Sequence, residues 1–466
     1  MNKFLHFIVY KPKLSLFMGF LLILAFGFGL NKLHDDFGYR TWFLEEDPNL
    51  KAFDRFEQTF GSDEMSIISV YHPDGIFRKE TINVIQKLTY DLWRAPEVIR
   101  VDSLSNYNWV HSENDDILVE PFFPDEIDIT QNLLDKRKQV ALTHPSIINY
   151  LINKEADTSL IYVNLKPTLG GSPDYKKVVL AFRDIVKKYN GLDNHKVYVA
   201  GNPVMNYAFR EAAYMDMEHL MPFVVLLTIG LLWFLFRRPS GFVLPILIVG
   251  LSTIMTIGLS GWINIPIHSL TSIVPEFMMA IGVAVAIHLL STFFIFYKEG
   301  TSKEEALKIT LKKIFFPTIL TSVSTSVGFF SFATSSIPTV GELGILTGFG
   351  TIFCWLTSYI ILVPLIMLTP LKPSKTSPSD INIKDLEPSP KATMYAKWIF
   401  KYKYYIIAAF SSLSLLGFYY SLQLNVNSDP LAYFSKSYPL TVATNFVEEK
   451  LKSATAVEMI IETHKP

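Results

Sequence analysis

Seven apolar runs, each near or above the length that a helix needs to cross a bilayer, constrain this chain more than any other feature. A bilayer core takes about 20 apolar residues in helix. Inside it, backbone N–H and C=O groups have no water to bond and must satisfy one another. The runs are Leu14–Leu33, Leu220–Phe236, Phe242–Ile263, Leu270–Tyr297, Ile314–Ala333, Leu343–Leu368 and Tyr405–Leu422. The second is short, but it extends backwards through Tyr207–His219 as a helix that would project from the membrane. The first follows Lys3, Lys11 and Lys13 as the core of a signal peptide would. However, Gly27–Leu33 offers no small-residue cleavage site and more runs follow, so it reads as an uncleaved span. Only 18% of the 466 residues are charged, against about 25% in soluble domains.

Positive charge alternates between the connecting segments. Arg237 and Arg238 separate spans two and three, and Lys298, Lys303, Lys308, Lys312 and Lys313 separate spans four and five. Lys372, Lys375, Lys384, Lys391, Lys397, Lys401 and Lys403 lie between spans six and seven, whereas Asn264–Ser269 and Thr334–Val340 carry no Lys or Arg. The positive-inside rule puts the N-terminus in the cytoplasm and residues 34–215 outside a plasma (inner) membrane. The expected order is residues 1–33, the N-terminus and first span; 34–215, an outer domain; and 216–370, spans two to six. A cytoplasmic linker at 371–403, a seventh span at 404–423 and the start of a second outer domain at 424–466 complete it.

The outer segment reads as an α/β domain. Strands are expected at Ser66–Tyr71, Val98–Leu104, Ser159–Leu165 and Lys196–Ala200, with helices at Arg78–Ala95 and Tyr175–Tyr189. The order is β-α-β, an insertion over about 105–155 with a helix at Asp128–Val140, then β-α-β. That is the ferredoxin-like, split βαβ pattern. Thr369–Lys391, rich in Pro, Ser and charge, reads as the linker.

The chain after the seventh run repeats the chain after the first. An offset of 391 aligns Leu33 with Leu424, Phe43 with Phe434, Pro48 with Pro439, Ala52 with Ala443 and Glu57 with Glu448, and sets Trp42 against Tyr433. Met459–Ile461 echoes the strand at Ile67–Val70 after a small shift, and the second copy breaks off at Pro466.

Spans four to six carry motifs in a fixed order. They are Gly282-Val-Ala-Val-Ala-Ile-His288, Gly300-Thr-Ser-Lys-Glu-Glu-Ala306, Pro317-Thr-Ile-Leu-Thr-Ser322, Gly328-Phe-Phe, Ile337-Pro338, Glu342-Leu-Gly344 and Pro364. With Pro275 and the turn Gly201-Asn-Pro-Val204, they make the chain resemble the first half of the resistance-nodulation-division (RND) superfamily, closest to its MmpL and sterol-sensing-domain branch. The resemblance implies a fold of two six-span repeats, each with an outer domain after its first span. It also implies secondary transport of lipids or other hydrophobic molecules driven by a proton gradient. Many relatives carry an Asp in span four, three to four residues before the position of His288; here those positions are Ala284 and Val285. A buried carboxylate in lipid is costly and is kept where a proton must be carried, so its loss puts coupling through this half in question.

Two ionisable residues of span four are the candidates for a proton or substrate pathway. His288 shares a helix face with Ile281, Ala284, Val285 and Thr292 and has an intrinsic pKa suited to proton relay. Glu276 lies roughly 9 Å below the outer start of the span and about 120° off that face, where it would line a wet vestibule. Pro275, Pro317 and Pro364 are expected to kink helices, and Gly282 and Gly328 to let them pack or hinge. Ser322, Ser324, Thr325 and Ser326 suit close helix packing. Glu342 at the outer start of span six and the acidic run Asp35, Asp36, Glu45, Glu46 and Asp47 read as solvated.

Other function classes find no support. A formal net charge of −1 creates no field for nucleic acid. Neither a P-loop, a metal-ligand spacing nor a Ser/His/Asp arrangement is present, and the lone Cys354 forms no internal disulfide, so neither an enzyme nor a cofactor is expected. The expected partners are membrane lipids, a hydrophobic substrate, and a second transporter half or further copies of the chain. The alternative function is a lipid-sensing or membrane-assembly protein that does not transport, or a transporter half that needs its partner.

Overall fold

The computed structural model describes residues 3–61, 64–113, 116–124, 128–168, 171–298, 300–373, 390–424 and 429–452. The chain begins with α1 (Lys3–Tyr10) and α2 (Pro12–Gly27), the latter continuing in tighter turns to Lys32. A single turn at Tyr39–Trp42 precedes α3 (Pro48–Phe60). Then come β1 (Met65–Tyr71), α4 (Lys79–Trp93), β2 (Val98–Asp102), β3 (Asn108–Glu113), β4 (Asp116–Pro121) and α5 (Gln131–Thr143). After β5 (Thr158–Leu165), α6 (Tyr175–Lys187) and β6 (Lys196–Gly201), α7 (Asn202–Met215) joins α8 (Met221–Phe236) through a wider π-helical turn at Asp216–Leu220. Next are α9 (Ser240–Trp262), α10 (Val274–Phe296), α11 (Lys303–Phe330) and α12 (Pro338–Thr357). A π-helical turn at Ser358–Leu362 leads to α13 (Val363–Leu368); α14 (Pro390–Ser421) and α15 (Pro439–Leu451) end the described chain.

Six helices among the described residues are long and apolar enough to cross a membrane, and the chain is a multi-pass membrane protein. They run Pro12–Lys32, Asn202–Phe236, Ser240–Trp262, Thr271–Phe296, Lys303–Thr334 and Pro338–Leu368. The expected seventh span is a helix, α14, but falls outside this set: Ser411, Ser412, Ser414, Tyr419 and Tyr420 dilute its apolar stretch. The sixth span is 61% buried and the second only 6%, so α12 sits inside the bundle and α8 on its rim. Glycines set the tightest crossing: a Cβ on Gly258 would strike the Phe26 carbonyl oxygen, one on Gly29 the Gly258 carbonyl, and one on Gly261 the Gly29 carbonyl. Spans one and three therefore touch backbone to backbone, and Trp262 Nε1 donates across the contact to the Ala25 carbonyl at 2.9 Å. At the other end of the bundle, Leu5, Ile8 and Val9 of α1 bury against Leu307, Leu311 and Ile366.

The four main strands form one antiparallel sheet in the order β2-β5-β1-β6. Two βαβ units are thus interleaved, with β5 between β1 and β2. All six expected elements form close to their predicted bounds: the two helices repeat their apolar residues at the helical period, and β5, buried on both faces, is a continuous apolar run. Ile68 and Val70 point into the core beneath α4 and α6, which seal it with Ile85, Leu88 and Phe182. Each such burial stabilises by roughly 1.5–3 kcal/mol. The insertion holds α5 and an unexpected hairpin, β3–β4. Its exposed Val110, Ile117 and Val119 are too isolated for a periodic signal. Most of the linker, at 374–389, and the echoed strand Met459–Ile461 lie outside the described residues.

The offset of 391 is kept by the backbone. The turn at Tyr39–Trp42 corresponds to a turn at Pro430–Tyr433, and α3 to α15, with the same bounds and lengths. α15 lies on the sheet face opposite α4 and α6, where Phe446 packs on Tyr71 and Tyr198 with ring centroids 5.6 and 4.7 Å apart. Lys450 Nζ meets Asp157 at 2.6 Å. Burial raises the Asp157 pKa, but hydrogen bonds from Lys450, Thr158 and Asn153 outweigh it and hold the carboxyl below its usual range. Asp157 in turn raises Lys450. A lowered carboxyl pKa stabilises above the unfolded value, about 4, and that stability is lost as pH falls through the folded value. Amide-exchange protection of α15, corrected for intrinsic rates, is therefore expected to fall between pH 6 and pH 3. In Asp157→Asn it should be low at both; equal protection at both pH values in the parent protein would refute this.

Candidate functional site

α10 turns two different faces to its surroundings. Gly282 packs inward: a Cβ there would stand 2.9 Å from Val249 Cγ2 and 3.2 Å from Cys354 Sγ. The opposite face, Ala280, Ile281, Ala284, Val285 and His288, is one wall of an open groove of about 490 Å³. α11 supplies the other wall with Ile314, Pro317, Thr318, Thr321, Ser322 and Thr325, and Thr351 of α12 lies at its floor. Pro317 breaks the hydrogen-bond ladder within α11. Thr321 Oγ1 donates to the Pro317 carbonyl at 2.9 Å, and the Thr318 and Tyr359 hydroxyls pair at 2.6 Å. The second bond pins α11 to the π-helical turn of span six, just before Pro364. The walls are apolar with a sparse line of hydroxyls, a lining suited to an acyl chain or another slender apolar molecule.

His288 is exposed on this wall, and among the described residues no side chain bonds either ring nitrogen. The helical-wheel reading of Ile281, Ala284, Val285 and His288 as one face agrees with the groove. Ala284 and Val285 line it too, so this stretch of its wall carries no carboxylate. Glu276 is not part of it. It occupies the first turn of α10, about 18 Å along the helix from His288, with Oε2 buried and, among the described residues, lacking a hydrogen-bond partner. The two candidates are therefore not brought together.

Several smaller expectations change. Pro275 lies in the first turn of α10, where a proline fits without kinking the helix. Gly328 faces open space, with nothing within 4 Å of a Cβ built there, and is not a packing contact. Ser326 does tie helices together, donating to the Gly348 carbonyl at 2.9 Å, whereas Ser324 bonds its own helix and Thr325 lines the groove.

Sequence reasoning missed a buried pair at the end of the bundle nearer the sheet. His268, 1% exposed, approaches Glu342 Oε2 through Nε2 at 2.8 Å. The backbone N–H groups of Leu270 and Thr271 donate to its Nδ1 at 3.2 and 3.3 Å, which places the proton of the neutral ring on Nε2, where it is donated to Glu342. Glu342 is thus paired, not merely solvated. The preceding residue, Ile267, exchanges backbone hydrogen bonds with His34 and Asp36 at 2.9 and 3.0 Å. Asp35 accepts from Arg210 of α7 at 2.5 Å, and Asp47 caps α3, so the acidic run is partly structural. These bonds make a continuous path from span six through the loop before span four to the helix beneath the sheet. The only sequence signal was a His and a Glu at the borders of different spans. His268→Ala and Glu342→Gln are each expected to cost about 1–3 kcal/mol. The double variant should cost no more than the larger single loss. Heat denaturation of the purified protein reads this; additive losses would show that the residues act separately.

The sequence profile of the MMPL family matches residues 43–375, which takes in the sheet, the groove and the His268–Glu342 pair. Protein MJ1562 of Methanocaldococcus jannaschii, named as a membrane protein, is 21% identical over 392 residues, covering 79% of this chain and 93% of that protein.

Proposed function

Because this chain belongs to the MMPL family, we propose that it is an RND-like membrane transporter whose substrate is a lipid or another hydrophobic molecule, admitted from the bilayer into the groove between α10 and α11. The observation that carries this reading is the groove itself: open on one side, apolar on its walls, and bordered by the single mid-membrane titratable side chain of α10, His288. The interleaved strand order supports reading the α/β segment as a ferredoxin-like domain, and the alternation of Lys and Arg between the connecting segments supports placing it outside the plasma membrane with the N-terminus in the cytoplasm. In the complete transporter a proton gradient supplies the drive, and His288 takes the place of the missing carboxylate. The chain works with a second transporter half: the turn at Pro430–Tyr433 and α15 repeat the turn at Tyr39–Trp42 and α3.

A photoactivatable phospholipid, with its reactive group at mid-chain, tests the reading on the protein in its own membrane. Adducts are expected on the groove residues of α10 and α11 in excess of those on α8, although α8 is the more exposed helix. Labelling in proportion to lipid exposure, strongest on α8, would overturn the assignment. His288→Ala should keep the adducts and remove the dependence of substrate movement on the proton gradient. A second reading, a lipid sensor that does not transport, is favoured by the apolar Ala284 and Val285. It predicts the same adducts with no substrate movement in either protein.

A further inference from the structure

Two histidines are closed inside the end of the sheet that lies opposite α7. β1 pairs with β6 from Ser66 and Gly201, beside the start of α7, to Tyr71 and Lys196. His72 and His195 flank that last pair, each 1% exposed, with ring centroids 4.9 Å apart. Neither touches the groove or the His268–Glu342 pair.

Their bonds fix one proton on each ring. The Asp74 backbone N–H donates to His72 Nδ1 at 3.1 Å, so the His72 proton is on Nε2, which donates to the Asp193 carbonyl at 3.0 Å. His195 donates from Nδ1 to the Leu192 carbonyl at 2.6 Å and accepts at Nε2 from the buried Thr81 hydroxyl at 2.9 Å. A second proton is disfavoured on both rings. On His72 it would face the Asp74 N–H, and Arg78 Nη1 stands 2.8 and 3.2 Å from the two ring nitrogens. On His195 it would bury a charge beside that ring and that cation. The neighbouring acids offset little of this: Asp74 and Glu80 are exposed and share Arg78, which leaves Asp193. Lys188 of α6 is turned to Asp91, Lys196 is exposed, and Asp157 is paired with Lys450. Burial holds His195 below its ordinary pKa, and His72 and Arg78 push the same way, against the Leu192 carbonyl and Asp193.

The rings also hold a strained turn. Gly191, Asp193 and Asn194 have φ of 85°, 47° and 63°, the left-handed region that side chains rarely adopt. Among the described residues, His72 and His195 carry both side-chain bonds by which this turn reaches β1 and α4. We propose that the His72–His195 pair is an acid-released latch: the neutral rings hold the 190–195 loop against the start of α4, and protonation frees it and loosens that end of the α/β segment. The latch answers to the compartment that bathes the segment, and it depends neither on the groove nor on a second transporter half. A ring kept neutral by the fold stabilises fully above its unfolded pKa, about 6.5. That stability is lost as pH falls below this value, by up to about ten-fold in the closing equilibrium per pH unit and ring.

Amide exchange of the full chain in vesicles of its own membrane, corrected for intrinsic rates, tests the latch. Within 190–197 the amides of Gly191, His195 and Val197 are bonded inside the loop. Their protection is expected to fall at least ten-fold between pH 7.5 and pH 5, while β5 of the same sheet keeps its own. The loss should persist in Asp157→Asn, which separates it from the titration that loosens α15. Joint His72→Gln and His195→Gln substitution keeps a donor and an acceptor at each position and should abolish the pH dependence. Arg78→Gln takes the cation from the His72 ring, leaves both histidines, and should cut the loss by at least half; it gives the decision if the double variant does not fold. Equal protection at both pH values in the parent, an equal loss in β5, or a loss unchanged in the double variant or in Arg78→Gln would overturn the proposal.

Discussion

Replacing Gly258 with leucine is expected to remove nearly all folded protein from the membrane. The change puts a branched side chain where the α9 backbone touches the Phe26 carbonyl, and neither helix can yield without separating. Overpacking costs about 1–3 kcal/mol when side chains can adjust. Here the obstacle is backbone, and spans one and three would lose the Trp262–Ala25 bond along with their contact. The residue pair Gly29 and Gly261 meets the same crossing from both helices, so no nearby space can absorb the added volume. Gly230→Leu serves as the control, since nothing lies within 4 Å of a Cβ there. The reading is the monodisperse fraction after gentle solubilisation: lost for Gly258→Leu, unchanged for Gly230→Leu. Equal yields of the two variants would show that the crossing is looser than described.

Filling the groove should have the second-largest effect, on function with folding unaffected. Ala284 is exposed on the groove wall one turn before His288, so a tryptophan there projects into open volume without displacing a packed neighbour. The indole would occupy the space between Ala284 and Thr321 that the proposed acyl chain uses. Ala284→Trp is therefore expected to keep the parent's thermal stability and to reduce phospholipid photo-adducts on α10 and α11 by at least ten-fold. Ala280→Ser, a small change on the same wall, should leave them alone. A stable Ala284→Trp protein with undiminished adducts would mean that lipid contacts these helices elsewhere.

The spans and the main strands were legible because each buries one face or a whole cylinder, and burial leaves a period in the sequence. Ser66–Tyr71 and Tyr175–Tyr189 are such cases, and both form within two residues of their expected ends. The backward extension of span two through Tyr207–His219 was legible for the same reason, and α7 and α8 do run on as one rod. The His268–Glu342 pair was not, because its members come from a loop and a helix start 74 residues apart and leave no periodic mark. α1 leaves no such mark: the sequence shows only lysines ahead of the first span. Its eight residues are too few to show a period, and only the floor formed by α11 and α13 reveals what Leu5 and Ile8 bury against. Within the candidate site, the face containing His288 followed from helix geometry alone, whereas its neighbours on α11 required the tertiary fold. Proline was misread at Pro275, where first-turn placement removes the kink that an interior proline such as Pro317 imposes.

The central claim is that a hydrophobic molecule moves through the groove between α10 and α11. The most direct measurement follows a fluorescent phospholipid crossing vesicles made from membranes that contain the full chain, beside vesicles with equal amounts of Ala284→Trp. The account predicts movement in the first, and in the second only the rate of membranes lacking the protein. Equal movement in both, with the variant folded and equally abundant, would contradict it.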